Sequence, residues 1–228
     1  MQPIAKTLSA LLIVLSAAVA QAAGLDAITS GDASSGVKEA LVKGADYAVS
    51  SLGQDNGFLG NSKVKIPLPD SLHTAEKAMR TFGMGKQADE LIETMNHAAE
   101  NAVAQAKPIL LDSIKKMSVN DAKGILTGGD DGVTQYFKRT STEPLTQKFI
   151  PIVKASVKKV QLAERYNQFA GKAASLGLID KKDADIDIYF TQKAMDGLFA
   201  MIAEQEKSLR SNPLGAGSNL LKKVFGAL

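Results

Sequence analysis

The stretch Lys86–Ala106, KQADELIETMNHAAENAVAQA, decides the fold class. Its apolar residues Leu91, Ile92, Met95, Ala98, Ala99, Ala102, Val103 and Ala106 recur at three- and four-residue intervals. That spacing collects them on one broad stripe of an α-helix, whereas a half-buried strand would alternate every second residue. Alanine supplies half of the stripe, so neighbouring helices are expected to approach closely.

The same periodicity continues on both sides. Upstream, Val37, Leu41, Ala45, Ala48 and Leu52 predict a helix over 37–52, closed by Gly53 and Gly57. Residues 23–35 are rich in Gly, Ser and Asp and are expected to form a disordered linker. Residues 54–70 are expected to form one long extended loop, because Ile66 and Leu68 each precede a proline and avoid the α region. Within it, the alternation Lys63–Ile66 fits a short strand. Pro69 marks the start of a helix to about Thr81, with Asp70 or Ser71 as its cap, and Phe82–Lys86 reads as a helix-to-helix turn. Downstream, helices are expected over 108–117, over 119–126 with Ser118 as cap, and from Asp130 or Asp131 to Lys138. A long helix over 143–171, bent at Pro151, follows. After a turn at 176–179, the most apolar helix starts at Asp183 or Asp185 and runs to Leu209, and a short amphipathic helix covers 220–225. The fold class is therefore all-α: an irregular single-domain helical bundle over 36–228 with one extended loop.

The N-terminus carries a different signal. Lys6 precedes the apolar run Leu8–Ala20, which ends at Ala20-Gln21-Ala22. A bilayer span takes about 20 apolar residues, so this run reads as a cleavable signal peptide over 1–22 rather than an anchor. No later stretch is apolar enough to span, and the expected location is the periplasm. The chain has no cysteine. Disulfides, thiolate metal sites, a cysteine nucleophile and lipidation at the cleavage site are thereby excluded. The net charge is +3, with basic residues scattered and only 5% aromatics. A nucleic-acid interface would want a basic stripe with interleaved aromatics, so nucleic acid is not an expected partner.

No motif for a cofactor, a phosphate or a nucleophilic serine is present, and no cofactor is expected. His73 and His97 are too few for a zinc centre, which takes three or four protein ligands, so no metal site is expected. The candidate functional residues are polar groups set on or beside apolar faces. On a helical wheel Asn96 borders the stripe of the long helix and Glu100 lies just beyond it. A carboxylate there either becomes a general acid in a partly dry cleft or pairs with a nearby Lys or Arg. Asp187 and Thr191 fall among Leu198, Met201, Ile202 and Leu209, where a carboxylate needs a partner such as Arg80, Arg139 or Arg165, unless it merely caps the first turn. Tyr136, Lys138 and Arg139 with Thr140 and Thr142 form a polar-aromatic cluster at a helix end. Glu206 and Arg210, four apart, are expected to brace the terminal segment.

Six segments in order carry a resemblance: Ile66–Leu72, Met95–Glu100, Asp121–Leu126, Tyr136–Arg139, Tyr189–Thr191 with Gly197–Phe199, and Leu220–Gly226. Together they resemble the bacterial domain-of-unknown-function family numbered 4197, over nearly all of the chain from Leu25 onward. The resemblance implies an exported helical protein of Gram-negative bacteria and transfers no catalytic residue. The expected function is a non-catalytic envelope protein that binds an apolar ligand or another envelope protein. Its adaptable lining would be Met79, Met84, Met95, Met195 and Met201, with the Phe58 loop as a cover. The rival expectation is a cell-wall hydrolase using paired carboxylates such as Glu100 and Asp187.

Overall fold

The computed structural model describes residues 24, 26–159, 161–176 and 186–228. The segment read as a signal peptide lies outside the described residues, as do the proposed start at Asp183 or Asp185 and the turn at 177–179. Among the described residues the chain is all-α: nine α-helices, one 3-10 turn and no strand.

The first helix, α1 (Ser30–Leu52), begins well before the sequence pattern predicted. Thr29 caps it by accepting a hydrogen bond from the backbone of Asp32 at 3.0 Å. The Ser-, Gly- and Asp-rich residues 30–35 are therefore helical rather than part of a linker. Packing overrides composition here, because Ala33 and Gly36 are buried under the C-terminal helix α9 (Asn219–Phe225). A Cβ at Gly36 would lie 2.8 Å from Val224, so the missing side chain is what lets the two helices meet. The buried face of α1 runs Ala33, Val37, Ala40, Leu41, Gly44, Ala45, Ala48 and Leu52. Such small residues let α8 (Ile186–Ser211) lie close along it, with Gly44 beneath Ile202.

Helix α2 (Asp70–Thr81) ends where expected, but its N-cap is Pro69, with no side-chain cap, rather than Asp70 or Ser71; it turns at Gly83, φ 73°, into α3 (Gly85–Ala104). The stripe of α3 is buried as its spacing required, with Ile92 only partly covered. Helix α4 (Lys107–Lys116) follows, then α5 (Ala122–Leu126), which is capped by Asp121 and not by Ser118.

Two helices read from the sequence are one in the structure. Helix α6 (Gly132–Lys159) runs unbroken through Pro144 and Pro151 and ends before Gln161, which takes the left-handed φ of 56°. A proline inside a helix frees the carbonyl four residues earlier. Here Thr140, Pro144, Gln147 and Pro151 are all exposed, so water can satisfy those carbonyls. Helix α7 (Leu162–Ser175) is therefore a separate element rather than the second half of a bent one. Helix α6 lies between α3 and α8, and α7 packs on α3.

The segment from Gly53 to Pro69 divides in two. Its first part is a run of tight turns, with Gly57 donating to Gln54 and Gly60 to Asn56. The strand expected at Lys63–Ile66 does not form; Val64 and Lys65 both donate backwards to Asn61. The alternation is nonetheless real, since Val64, Ile66 and Leu68 are buried while Lys65 and Pro67 are exposed. What replaces a partner strand is a side chain. Asn96 accepts from the Ile66 backbone at 2.8 Å and donates to its carbonyl at 2.9 Å, as a paired strand residue would.

Candidate functional site

Two depressions matter, and both border α-helices named above. The first is a polar cleft of about 500 Å³ between the Gly53–Asn56 turn and α3, walled by Asp55, Glu93, His97, Glu100 and Asn101. Glu100 occupies its floor and is 4% exposed. Its Oε1 accepts from the backbone N–H groups of Phe58 at 3.0 Å and Leu59 at 3.1 Å. Its Oε2 lies 2.7 Å from His97 Nδ1, and His97 Nε2 stands 3.7 Å from Glu93. Three contacts from the chain itself thus meet the two oxygens of this buried carboxylate.

The sequence pattern placed Asn96 and Glu100 at and beyond the border of the α3 stripe. Both are instead buried, because the Gly53–Pro69 segment covers that side of the helix and supplies backbone partners for each. Asn96 also donates to the Ile92 carbonyl at 2.7 Å. Phe58 is not a mobile cover: it is fully buried, and its ring fills the space that a Cβ on Gly197 would need.

The remaining candidates lie elsewhere. Tyr136 donates its hydroxyl to the Ser118 carbonyl at 2.7 Å, and the exposed Arg139 guanidinium stacks over the Tyr136 ring at 5.4 Å. These two tie α6 to the α4–α5 connection and do not join Asn96 and Glu100. Asp187 falls in the first turn of α8, and its side chain lies outside the described residues. Thr191, one turn on, is buried and borders the second depression. Glu206 is a helix cap as well as a partner for Arg210. It accepts from the Val133 and Thr134 backbones at 3.0 and 2.7 Å and from the Thr134 hydroxyl at 2.7 Å. Arg210 holds the same carboxylate by Nε and Nη2, and donates through Nη1 to the Leu126 carbonyl at 2.7 Å. The start of α6 thus depends on a carboxylate from α8, as expected where four backbone donors have no intrahelical partner.

The second depression is a groove of about 680 Å³ between α6 and α8. One wall is a row of α6 residues spaced by four, Lys138, Thr142, Thr146, Ile150 and Lys154, with Val153 below. The other is Thr191, Met195 and Phe199 of α8, again spaced by four, with Gln192 and Asp196 at the rim. Residues four apart lie one above another along a helix, so two such rows leave a channel between them. The threonines are less polar than their names suggest. Thr142 donates to the Lys138 carbonyl at 2.5 Å and Thr146 to the Thr142 carbonyl at 2.8 Å, so their hydroxyls are spent on the helix. Lys138 closes one end, with Nζ 3.2 Å from Asp196 and 5.7 Å from the centre of the Phe199 ring. Lys138, Thr142, Thr191 and Met195 stand out in the sequence only separately, and Thr146, Ile150 and Lys154 do not stand out at all, although their four-residue spacing on α6 is a signal in the chain. Of the methionines expected to line a site, Met79, Met95, Met195 and Met201 are core residues, and Met195 also borders the groove.

Among the described residues no helix is long and apolar enough to cross a membrane, and no group of three or more His, Asp or Glu is placed to hold a metal ion.

The fold and its groove define an all-α protein with an apolar channel between two of its longest helices. The chain belongs to the family described as protein of unknown function (DUF4197), whose model matches residues 27–226. No curated protein and no solved structure matches it.

Proposed function

We propose that this is a non-catalytic envelope protein, exported to the periplasm, that binds an apolar ligand in the α6–α8 groove. The observation that carries this reading is the groove lining itself: Ile150, Val153, Met195 and Phe199, beside threonines whose hydroxyls are turned back on the helix. Its volume of about 680 Å³ is that of a small-molecule site. Each methylene moved from water into such a lining is worth about 0.8 kcal/mol, so an aliphatic chain would bind there without a polar anchor. The Lys6, Leu8–Ala20 and Ala20-Gln21-Ala22 sequence supports export.

The hydrolase alternative draws less support. A glycosidase needs two carboxyl groups facing each other across a cleft with their oxygens available. Glu100 spends both oxygens on the Phe58 and Leu59 backbones and on His97.

Titration with the neutral fluorophore N-phenyl-1-naphthylamine tests the groove. The wild type is expected to give a saturable rise in emission. Thr146→Trp, which fills the channel from its half-buried rim, and Ile150→Glu, which charges it, are each expected to weaken binding by at least about tenfold, or ~1.4 kcal/mol. Absence of saturable binding to the folded wild type, or equal binding by both variants, would overturn the reading.

A further inference from the structure

Asn56-Gly57 is the one Asn-Gly pair in the sequence, and the fold explains both residues. Asn56 takes a left-handed φ of 62°, a region that asparagine tolerates better than most residues with a side chain. Gly57 is required for another reason. A Cβ there would lie 2.5 Å from the Leu52 carbonyl oxygen and 2.6 Å from that of Ser51. The turn thus keeps together two residues whose joint chemistry is reactive. A backbone nitrogen that follows an asparagine can attack the side-chain amide carbon, and glycine leaves that nitrogen unhindered.

In the closed turn the attack is held off. The Gly57 N–H donates to the Gln54 carbonyl at 3.0 Å, and the Asn56 carbonyl accepts from Gly60 at 2.9 Å, so the peptide between them is pinned from both sides. Gly57 is buried, and the next two backbone donors, Phe58 and Leu59, are held by Glu100 Oε1. Asn56 itself is exposed and borders the polar cleft, where water reaches it.

We infer that Asn56 is a site of spontaneous deamidation, and that Glu100 sets its rate by keeping the turn closed. When the turn opens, the Gly57 nitrogen gives up its proton to water and bonds to Asn56 Cγ. The Cγ–Nδ2 bond breaks, and ammonia leaves with a proton taken from water. Water then opens the resulting cyclic imide at either carbonyl, which yields aspartate, or isoaspartate with the main chain rerouted through Cγ. Isoaspartate lengthens the backbone by one methylene, which shifts the Phe58 and Leu59 donors off Glu100 and loosens the Phe58 plug against Gly197. Aspartate adds a carboxylate to a cleft already walled by Asp55, Glu93 and Glu100. The reaction draws on the open population of the turn, so its rate follows local stability. It does not depend on the α6–α8 groove.

The test incubates the folded protein at mildly alkaline pH and follows residue 56 by peptide mapping in the mass spectrometer, with enzymatic methylation to count isoaspartate. Wild type is expected to convert at Asn56 ahead of its other asparagines, and at least about tenfold more slowly than the same chain unfolded in urea. Folded Glu100→Ala is expected to convert at least about tenfold faster than folded wild type. Glu100→Gln keeps one acceptor for the Phe58 and Leu59 N–H groups and should fall between, while all three chains react alike once unfolded. Conversion of folded wild type as fast as the unfolded chain overturns the gating. No conversion at residue 56 in the folded proteins, under conditions that convert the unfolded chain, overturns the site. An unchanged rate in folded Glu100→Ala overturns the role of Glu100. If that variant does not fold, equal rates for wild type and Glu100→Gln overturn it instead.

Discussion

The Oε1 atom of Glu100 lies 3.0 Å from the backbone nitrogen of Phe58. Through that contact a helix side chain holds a turn whose aromatic residue plugs the interior against Gly197. Glu100 therefore acts for the Gly53–Pro69 segment as a cap acts for a helix end. It collects backbone donors that would otherwise be buried without partners.

Glu100→Ala is accordingly expected to destabilise the protein by about 2–4 kcal/mol, since it strands the buried Phe58 N–H and the part-buried Leu59 N–H and removes the 2.7 Å contact of His97. Urea unfolding measures the loss, and amide exchange should quicken at Phe58 and Leu59 before the rest of α3. A change below about 0.5 kcal/mol would contradict the bracing role.

Arg210→Ala should cost about 3 kcal/mol or more, because it leaves the Glu206 carboxylate buried with its counter-charge gone. Removing both partners as Glu206→Met with Arg210→Met is not expected to rescue stability fully, since Val133 and Thr134 then lose their acceptor. A double-mutant cycle by chemical denaturation separates the ion pair from the capping role.

Two glycine substitutions should move stability in opposite directions. In Gly197→Ala the new Cβ would lie 2.6 Å from the buried Phe58 ring, costing about 1–3 kcal/mol and outweighing the gain of up to ~1 kcal/mol in helix propensity. In Gly171→Ala the Cβ meets nothing within 4 Å on an exposed position of α7, so the propensity gain of about 0.5–1 kcal/mol stands alone. Thermal melts of the two variants beside wild type decide both signs at once.

Acid sensitivity has a named contributor. Hydrogen bonds from Lys148 and Lys116 hold the Asp112 carboxyl down at about 2, below its ordinary value of 3.8. A folded-state pKa lower than the unfolded one stabilises the fold above about pH 4, and that contribution disappears as the pH falls towards 2. Wild type should therefore exceed Asp112→Asn in stability at neutral pH, with the difference closing on acidification. Because the group is exposed, the difference should also shrink in high salt. A gap that stays constant across that acid range would show that the two lysines do not set it.

The helical class, the α3 stripe and the short terminal helix were all legible in the chain, because three- and four-residue spacing is a local property that needs no partner. Asn96 was visible as a polar residue at the edge of that stripe. Its role was not, because its partner is the Ile66 backbone thirty residues upstream. The alternation Lys63–Ile66 was likewise read correctly as a pattern and wrongly as a strand. Alternation reports which side chains are buried, and says nothing of whether another strand or an asparagine satisfies the backbone.

Local chemistry alone thus settled that this protein is built from helices, where most of them lie, and that no cysteine chemistry is open to it. Tertiary structure alone decided that Ser30–Ser35 are helical, that α6 persists through two prolines, and that Glu100 and Glu206 cap distant backbones. It also decided that Thr142, Ile150, Met195 and Phe199 face one groove. For α6 the physical reason is solvent exposure of the carbonyls its prolines free; each of the others depends on atoms brought together from far along the chain, and single-sequence periodicity carries no record of which faces meet.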